Sequence, residues 1–363
     1  MTKVTISSLS PATWSVIVQI IDPARLAYQQ SHPRYQPEWT LLATSDSGEQ
    51  GVGLLTHTRW QRQRARFEVA EVSWYGSNDP ELMGPVLAAA ADAAAAVGLG
   101  WLRCTLPLRL ASQWGMVAAN LWSRTEWSGG NGLLAPATVA DIADLVALDL
   151  HAPAPRSVTP LRFEPDWHWL LRQQPPLVLR NRSGQVCGYI ELAGDSLING
   201  RAIDAVTARL LLAQSPSTMR NIRLPADHPL TQAALEQGAT LVVRRPSEDE
   251  VCPLWSIIDP LAALRSYQPA LSDRLARSQY AGWEGSIGLR GEWGAIRIEF
   301  RAQQAHISAS LGLTDIELRH LSIGGLATLL LGRRSVSDLH ATGDLHCPDH
   351  GLELLESLFP TAL

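Results

Sequence analysis

A chain of 363 residues, of which 46% are hydrophobic and 18% charged, has enough apolar surface to fold as two or three domains, which excludes a disordered protein. Its net charge of −5 excludes a protein drawn as a whole to nucleic acid or to an anionic membrane. Four scattered cysteines and an N-terminus without a long apolar core predict a reduced, cytoplasmic protein.

The first 130 residues predict an α/β domain. A helical region over residues 13–29 is followed by a hairpin, a long strand at Phe67–Trp74 and an alanine-rich helix. Because Asp92 interrupts its apolar run, that helix is predicted to be buried in a soluble domain and not to span a membrane. The elements after it are the strand Leu102–Leu106, the short helix Leu110–Trp114 and a strand that opens at Gly115.

The middle of the chain repeats this order. Pro136-Ala137-Thr138 opens a helix as Pro11-Ala12-Thr13 does, and a hairpin, a helix and an apolar strand after Gly238 follow. The glycine-rich stretch after Ser128 has the composition of a linker, so we expect the first domain to be 1–130 and the second 131–258. The strand Leu254–Ile258 is compatible with the second domain's sheet.

The last part, 259–363, has a different pattern. A helix over Leu261–Arg277 precedes short strands at Gly285–Leu289, Ala295–Phe300 and Ala305–Ala309, separated by polar turns as in an antiparallel meander. A strand near Ile316–Leu321 and two further helices complete a predicted α+β domain.

The element order of the first two parts resembles the GCN5-related N-acetyltransferase (GNAT) fold, and the third part resembles a sterol-carrier-protein-like domain. Together they resemble the enhanced-intracellular-survival type of aminoglycoside and lysine acetyltransferases. The segments with the strongest likeness are Asp227–Gly238 and Trp255–Leu264. The resemblance implies two tandem GNAT-like domains, the second degenerate, before an α+β sterol-carrier-like domain. It also implies acetyl-CoA as cosubstrate, and it allows a homo-oligomer.

The resemblance places acetyl-CoA between the long strand and the helix of the first half. Its binding residues there would be Val72, Ser73, Trp74 and Gly84, with the helix beginning near Pro85. The loop lacks the arginine of the family's phosphate-binding motif, however. Asp79 and Glu81 instead put negative charge where the pyrophosphate would lie, which predicts weak binding or a helix that caps itself.

The catalytic residues that the resemblance implies are only partly present. The tyrosine expected four residues before the late glycine is replaced by Ala111 in the first half and by Ala234 in the second. The remaining candidates for the general base are Glu68 and Glu71 on the long strand, one on each face of the sheet. A carboxylate that is solvated or covered by a helix is the alternative interpretation of both.

Three other groups of residues have candidate roles. A pocket for the acceptor is predicted to involve Trp114, Trp122 and Trp127. The arginines at 59, 62, 64 and 66 are most simply an exposed turn. The histidines and aspartates between Asp338 and His350 lack the spacing of a zinc site, so we predict no metal.

Two functions follow. The first is an acetyl-CoA-dependent N-acetyltransferase that acts on a small amine. The alternative is a catalytically inactive GNAT scaffold that binds an apolar ligand or a protein partner, so whether the protein is an enzyme is left open.

Overall fold

The structure is a computed structural model that describes residues 4–77, 79–118, 123–153, 155, 157–243, 247–309 and 312–361. The chain divides into two compact units. The first contains Met1–Trp60, Arg64–Ala119 and Ser247–Thr361, and the second is Asn120–Pro246 with Gln61–Gln63. The first half of the sequence and its last part therefore share one unit.

The early elements of the first unit follow the GNAT-like order predicted from the sequence. They are β1 (Val4–Ser8), α1 (Pro11–Ile20), α2 (Pro23–Gln30), β2 (Tyr35–Ser45), β3 (Gln50–Arg62), β4 (Ala65–Gly76), α3 (Pro80–Ala96), β5 (Trp101–Pro107) and β6 (Val117–Ala118). Local signals fix several helix starts. Ser10 forms a capping box with Thr13, and Asp22 accepts the Arg25 N–H just before Pro23, so the predicted helical region is two helices.

The elements of the second unit are β7 (Ser123–Glu126), β8 (Ala135–Pro136), α4 (Ile142–His151), β9 (Thr159–Pro160), α5 (Glu164–Gln173), β10 (Leu177–Arg180), β11 (Val186–Ala193), β12 (Ser196–Ala202), α6 (Ala205–Gln214), β13 (Asn221–Ile222), α7 (Pro229–Glu236) and β14 (Thr240–Val243). One apolar core of this unit includes Ile190, Leu197 and Leu211. A second includes Trp167 and Tyr189, whose rings meet edge to face at 5.1 Å.

The chain then returns to the first unit. Its elements there are β15 (Val251–Ile257), α8 (Pro260–Arg277), β16 (Gly285–Gly291), β17 (Gly294–Arg301), β18 (Gln304–Ser308), β19 (Ile316–Leu318), α9 (Ile323–Leu330), α10 (Val336–Ala341) and α11 (Leu352–Leu358). The predicted meander is present as a sheet of order β18-β17-β16-β19. Among the described residues, no helix is long and apolar enough to cross a bilayer.

In each large sheet, one strand pairs with strands that are distant from it in the sequence. The first has the order β1-β2-β3-β4-β5-β15-β6, and the second has the order β14-β7-β13-β12-β11-β10-β8. β7 follows β6 in sequence but pairs with β13 and β14. β15 follows β14 in sequence but pairs with β5 along its whole length, from Val251 opposite Pro107 to Ile257 opposite Trp101. The strand that the sequence left compatible with the second sheet thus completes the first.

α8, the first helix of the sterol-carrier-like part, packs on the first sheet within the same unit. The rings of Tyr267 on α8 and Phe67 on β4 stack at 5.7 Å, beside Trp101 and Trp255. Gly100 lies so close to α8 that a Cβ there would be 2.6 Å from the backbone nitrogen of Ala263. This packing covers the face of β4 on which Phe67 lies.

Candidate functional site

β4 and β5 lie side by side in the first sheet and then separate. They are parallel, and their register runs from Val69 opposite Trp101 to Val72 opposite Cys104. Both strands continue beyond this point, β4 to Gly76 and β5 to Pro107, without further pairing between them. From the end of this pairing we infer a cleft between the two backbone edges, in which an extended chain could pair with a strand.

The two faces of β4 differ around this cleft. Side chains alternate along a strand, so Val72 and Trp74 lie on one face and Glu71 and Ser73 on the other. α3 packs closely on the first face, because a Cβ on Gly53 of β3 would lie 2.6 Å from Val86 of α3 and 3.6 Å from Val72. The side chain of Glu71 is 26% exposed on the opposite face. Of the predicted cofactor residues, Val72 ends the paired region, and Ser73 and Trp74 follow it along the edge of the cleft.

The N-terminus of α3 is capped by the protein itself. The helix begins at Pro80, and the carboxylate of Asp79 accepts the Glu81 N–H at 2.9 Å. The N–H groups of Leu82 and Met83 both point to the carbonyl of Asp79, at 3.1 and 3.0 Å. The prediction that the helix begins near Pro85 is wrong, because an aspartate N-cap followed by proline at the first position starts it earlier.

Gly84 therefore lies inside α3 and not in a loop before it. Its backbone faces Trp114, whose indole nitrogen would be 3.4 Å from a Cβ at this position. Pro85 follows within the helix and has no N–H to donate. This geometry does not support the assignment of Gly84 to a phosphate-binding loop.

Glu71 is held in a charged and aromatic cluster beside the cleft. Its Oε1 accepts a hydrogen bond from Nη1 of Arg103, the residue opposite it on β5. Thr58 Oγ1 lies 3.4 Å from the other oxygen. The guanidinium of Arg103 stacks over the Trp60 ring at 4.8 Å and the Trp255 ring at 5.7 Å. The carboxylate is thus fixed in place but still reaches solvent.

Glu68 is separated from the cleft. It lies four residues before Val72 on β4, about 13 Å away along the strand, and on the other face from Glu71. Its oxygens contact Arg59 Nε at 2.8 Å and His57 Nε2 at 3.3 Å. Partial burial raises the pKa of Glu68, but the hydrogen bond from Arg59 and nearby positive charge outweigh it, so the pKa lies below its usual range. Burial lowers the pKa of His57.

The predicted tryptophan pocket divides between the units. Trp114 is half-buried in a 3-10 turn of the first unit. Trp127 is buried in the core of the second unit, where its ring covers Gly129. Trp122 lies outside the described residues. Cys104, where the pairing of β4 and β5 ends, is buried, with its Sγ 3.5 Å from Met116 Sδ.

The second sheet has the same strand arrangement as the first, but charged side chains are buried in its interior. β12 and β13 are parallel, with Ser196 opposite Asn221 and Leu197 opposite Ile222. The helix after β12 is again capped by an aspartate, because Asp204 accepts the Thr207 N–H at 2.7 Å. That backbone hydrogen bond lowers the pKa of Asp204. An acidic N-cap is therefore present in both halves.

A buried charge network stabilises the interior of this second sheet. Asp149 is fully buried, accepts the Tyr189 hydroxyl at 2.6 Å and lies 3.5 Å from Arg201 Nε. Arg162 donates to Glu191 beside them. Burial raises the pKa of Asp149, while the two arginines favour its charged form. Most of these charged groups are paired with one another, although Arg201 Nε and Nη1 make no hydrogen bond among the described residues, and the network is consistent with a structural role.

Known protein families and solved structures are similar to this chain. A family model for a sterol carrier protein domain matches residues 290–362. A GCN5-related N-acetyltransferase from Kribbella flavida is 14% identical with a TM-score of 0.69, covering 99% of this chain and 98% of that one. A probable N-acyltransferase of unknown function from Enterococcus faecalis is 12% identical with a TM-score of 0.66, covering 99% and 98%.

Eis1 from Mycobacterium abscessus is 15% identical with a TM-score of 0.60, covering 99% of this chain and 97% of that one. No curated protein matches the sequence. The chain has the GNAT fold with a C-terminal sterol carrier protein domain. At these identities the likeness establishes the fold, and the activity must be argued from the site.

Within the GNAT fold, the structure identifies residues that the sequence did not single out. Arg103 is the partner of Glu71. The only sign of this in the sequence is that Arg103 lies two residues after Trp101, on the same face of one strand. His57 is a partly buried histidine in the middle of β3, between two threonines. The prediction that the four arginines form an exposed turn is wrong for Arg62, which is fully buried, whereas Arg64 is exposed and pairs with Asp273 at 2.9 Å. No set of three metal-binding side chains occurs in the part of the chain that is described.

Proposed function

We propose that the protein is an N-acyltransferase that moves an acetyl group from a pantetheine thioester of the acetyl-CoA kind to a small primary amine. The observation that supports this most directly is the cleft that opens after Val72 and Cys104, with Glu71 at its edge. A pantetheine arm has amide groups that can pair with an exposed strand edge, and Ser73 and Trp74 provide such an edge on β4.

The proposed reaction needs a group that takes a proton from the amine. The amine nitrogen forms a bond to the thioester carbonyl carbon, the carbon–sulfur bond breaks, and the sulfur leaves as a thiolate that takes a proton from solvent water. We assign Glu71 to the binding and deprotonation of the amine, because its carboxylate lies beside the cleft and is held by Arg103 and Thr58. Arg103 positions this carboxylate.

The described residues fit only part of acetyl-CoA. The cleft suits the acyl and pantetheine groups, whereas the N-terminus of α3 does not suit the pyrophosphate, because Pro80 has no N–H and the Asp79 carboxylate takes that of Glu81. This capped helix favours a second candidate function, a GNAT scaffold that binds a partner or an apolar ligand without transfer. We favour transfer because the cleft and its carboxylate are both retained.

The proposal is tested by measuring thiol release from acetyl-CoA. The panel of acceptor amines includes an aminoglycoside, a polyamine and a lysine peptide. We expect Glu71→Gln to lower kcat by roughly 10²–10⁴-fold, the usual contribution of a general base. Glu68→Gln is the matched control, because it alters the same residue type on the same strand away from the cleft, and we expect little change. Equal turnover of both variants and the wild type would remove Glu71 from the mechanism.

The absence of thiol release with every amine, together with no binding of acetyl-CoA in a calorimetric titration, would instead favour the scaffold.

We also propose a reducing, cytoplasmic location. All four cysteines are buried and free, at positions 104, 187, 252 and 347.

A further inference from the structure

The helix that follows the central strand has an aspartate N-cap in both halves of the molecule. In the first half Asp79 accepts the N–H of Glu81, and in the second half Asp204 accepts the N–H of Thr207. The first free N–H groups of a helix, together with its dipole, are what make a helix N-terminus an anion site. A carboxylate from the chain itself fills that role twice here.

In the first half, the loss of anion-binding groups can be followed residue by residue. Pro80, the first residue of α3, has no N–H. The N–H of Glu81 is bonded to the Asp79 carboxylate, and those of Leu82 and Met83 are bonded to the Asp79 carbonyl. Gly84 is the fifth residue of α3, deep enough for its N–H to bond within the helix. The described first turn of α3 therefore offers no donor to a phosphate.

The charge at this position also opposes a phosphate. Asp79 and Glu81 are both acidic and lie in the first turn, where they interact favourably with the helix dipole. A doubly charged pyrophosphate in their place would meet two negative charges at short range. The arrangement stabilises the helix and repels the nucleotide part of CoA.

The cleft between β4 and β5, in contrast, is kept. Its strands separate after Val72 and Cys104, and the edge at Ser73 and Trp74 is not paired with β5. The part of the donor that would lie in this cleft is the acyl-pantetheine arm, which carries no phosphate charge. One half of the donor site is thus retained, and the half that would recognise the nucleotide is closed.

We propose that this site recognises its donor by the acyl-pantetheine arm alone, so that the nucleotide of CoA contributes little to binding. This inference rests on the proposed function for its location in the first half. The donor class is pantetheine thioesters, and CoA thioesters are used through the arm that they share with this class.

The experiment compares acetyl-CoA with acetyl-pantetheine, which has the same thioester arm without the nucleotide. Binding of each is measured by calorimetric titration of the full chain, and thiol release is measured with the same amine panel. Adenosine 3′,5′-bisphosphate, which has the nucleotide without the arm, is added as a competitor. We expect acetyl-pantetheine to bind at least as tightly as acetyl-CoA, and up to about thirtyfold more tightly because Asp79 and Glu81 repel the phosphates, with no competition by the bisphosphate at concentrations that saturate the donors.

A preference for acetyl-CoA of roughly a hundredfold, the size expected when two charge-assisted hydrogen bonds hold the phosphates, would overturn the proposal while leaving the transferase function in place. Equal binding of the two donors without thiol release would support the donor assignment and contradict the transferase function. Binding of neither donor would overturn both.

Discussion

The acidic first turn of α3 gives the most direct test of the charge argument. Asp79→Asn with Glu81→Arg converts this turn from negative to positive while keeping a residue that can cap the helix, since asparagine is as good an N-cap as aspartate. We expect the double variant to bind acetyl-CoA more tightly than the wild type, although the capped N–H groups remain occupied.

The size of the effect follows from three contributions. Removal of each carboxylate relieves about 1 kcal/mol of repulsion at about 4 Å in a solvated setting. A new arginine at position 81 adds roughly 1.5–3 kcal/mol if it bonds a phosphate oxygen. Screening by salt reduces these terms, so a gain of about 3 kcal/mol, or about a hundredfold in Kd, is expected. The loss of the dipole interaction costs the helix about 0.3–1 kcal/mol.

The assay is calorimetric titration of acetyl-CoA into the wild type and the variant at two salt concentrations. Asp92→Arg is the matched control, because it adds positive charge to the exposed face of the same helix about 16 Å from position 81. That distance exceeds the screening length of about 8 Å at physiological salt, so the control should bind like the wild type. An unchanged Kd in the double variant, or an equal gain in the control, would refute the reasoning.

Two predictions concern stability. Burial lowers the pKa of His228 to about 3 from 6.5, so the unfolded chain takes up this proton first as the pH falls. The contribution of neutral His228 to the free energy of unfolding is therefore fully present above pH 6.5. About 2 kcal/mol of it is lost between pH 7 and pH 5. His228→Asn, which keeps a cap for α7, should remove this part of the pH dependence of urea unfolding; an unchanged slope would contradict it. Gly100→Ala places a Cβ 2.6 Å from the Ala263 nitrogen, so we expect the midpoint of urea unfolding to fall, equivalent to roughly 1–3 kcal/mol, and wild-type stability would show that α8 does not pack there as described.

The sequence by itself was enough for the elements and for the internal repeat. Helices and strands are specified locally, by apolar periodicity and by residues such as Ser10, Asp22 and Pro23 at helix starts. The start of α3 was readable in the same way, since an aspartate followed by Pro80 is a helix-start signal. The expectation of a glycine loop moved the predicted start to Pro85, where the proline is merely tolerated.

The sequence also predicted the location of the candidate base only in part. Alternation along β4 placed Glu68 and Glu71 on opposite faces, but it could not say which one lies beside a cleft. That depends on where β4 and β5 part, after Val72, and on the packing of α3 and α8 against the two faces.

What only the tertiary structure decided is which strands complete each sheet and which charges meet. β15 joins β5 although the whole second unit separates them in sequence, and Glu71 meets Arg103 through the register of two parallel strands. Strand pairing between distant segments depends on the hydrogen bonds and side-chain packing of the assembled sheet, which no local pattern encodes. The sequence therefore determined the helices and strands, and the long-range pairing brought Glu71 and Arg103 together in the candidate site.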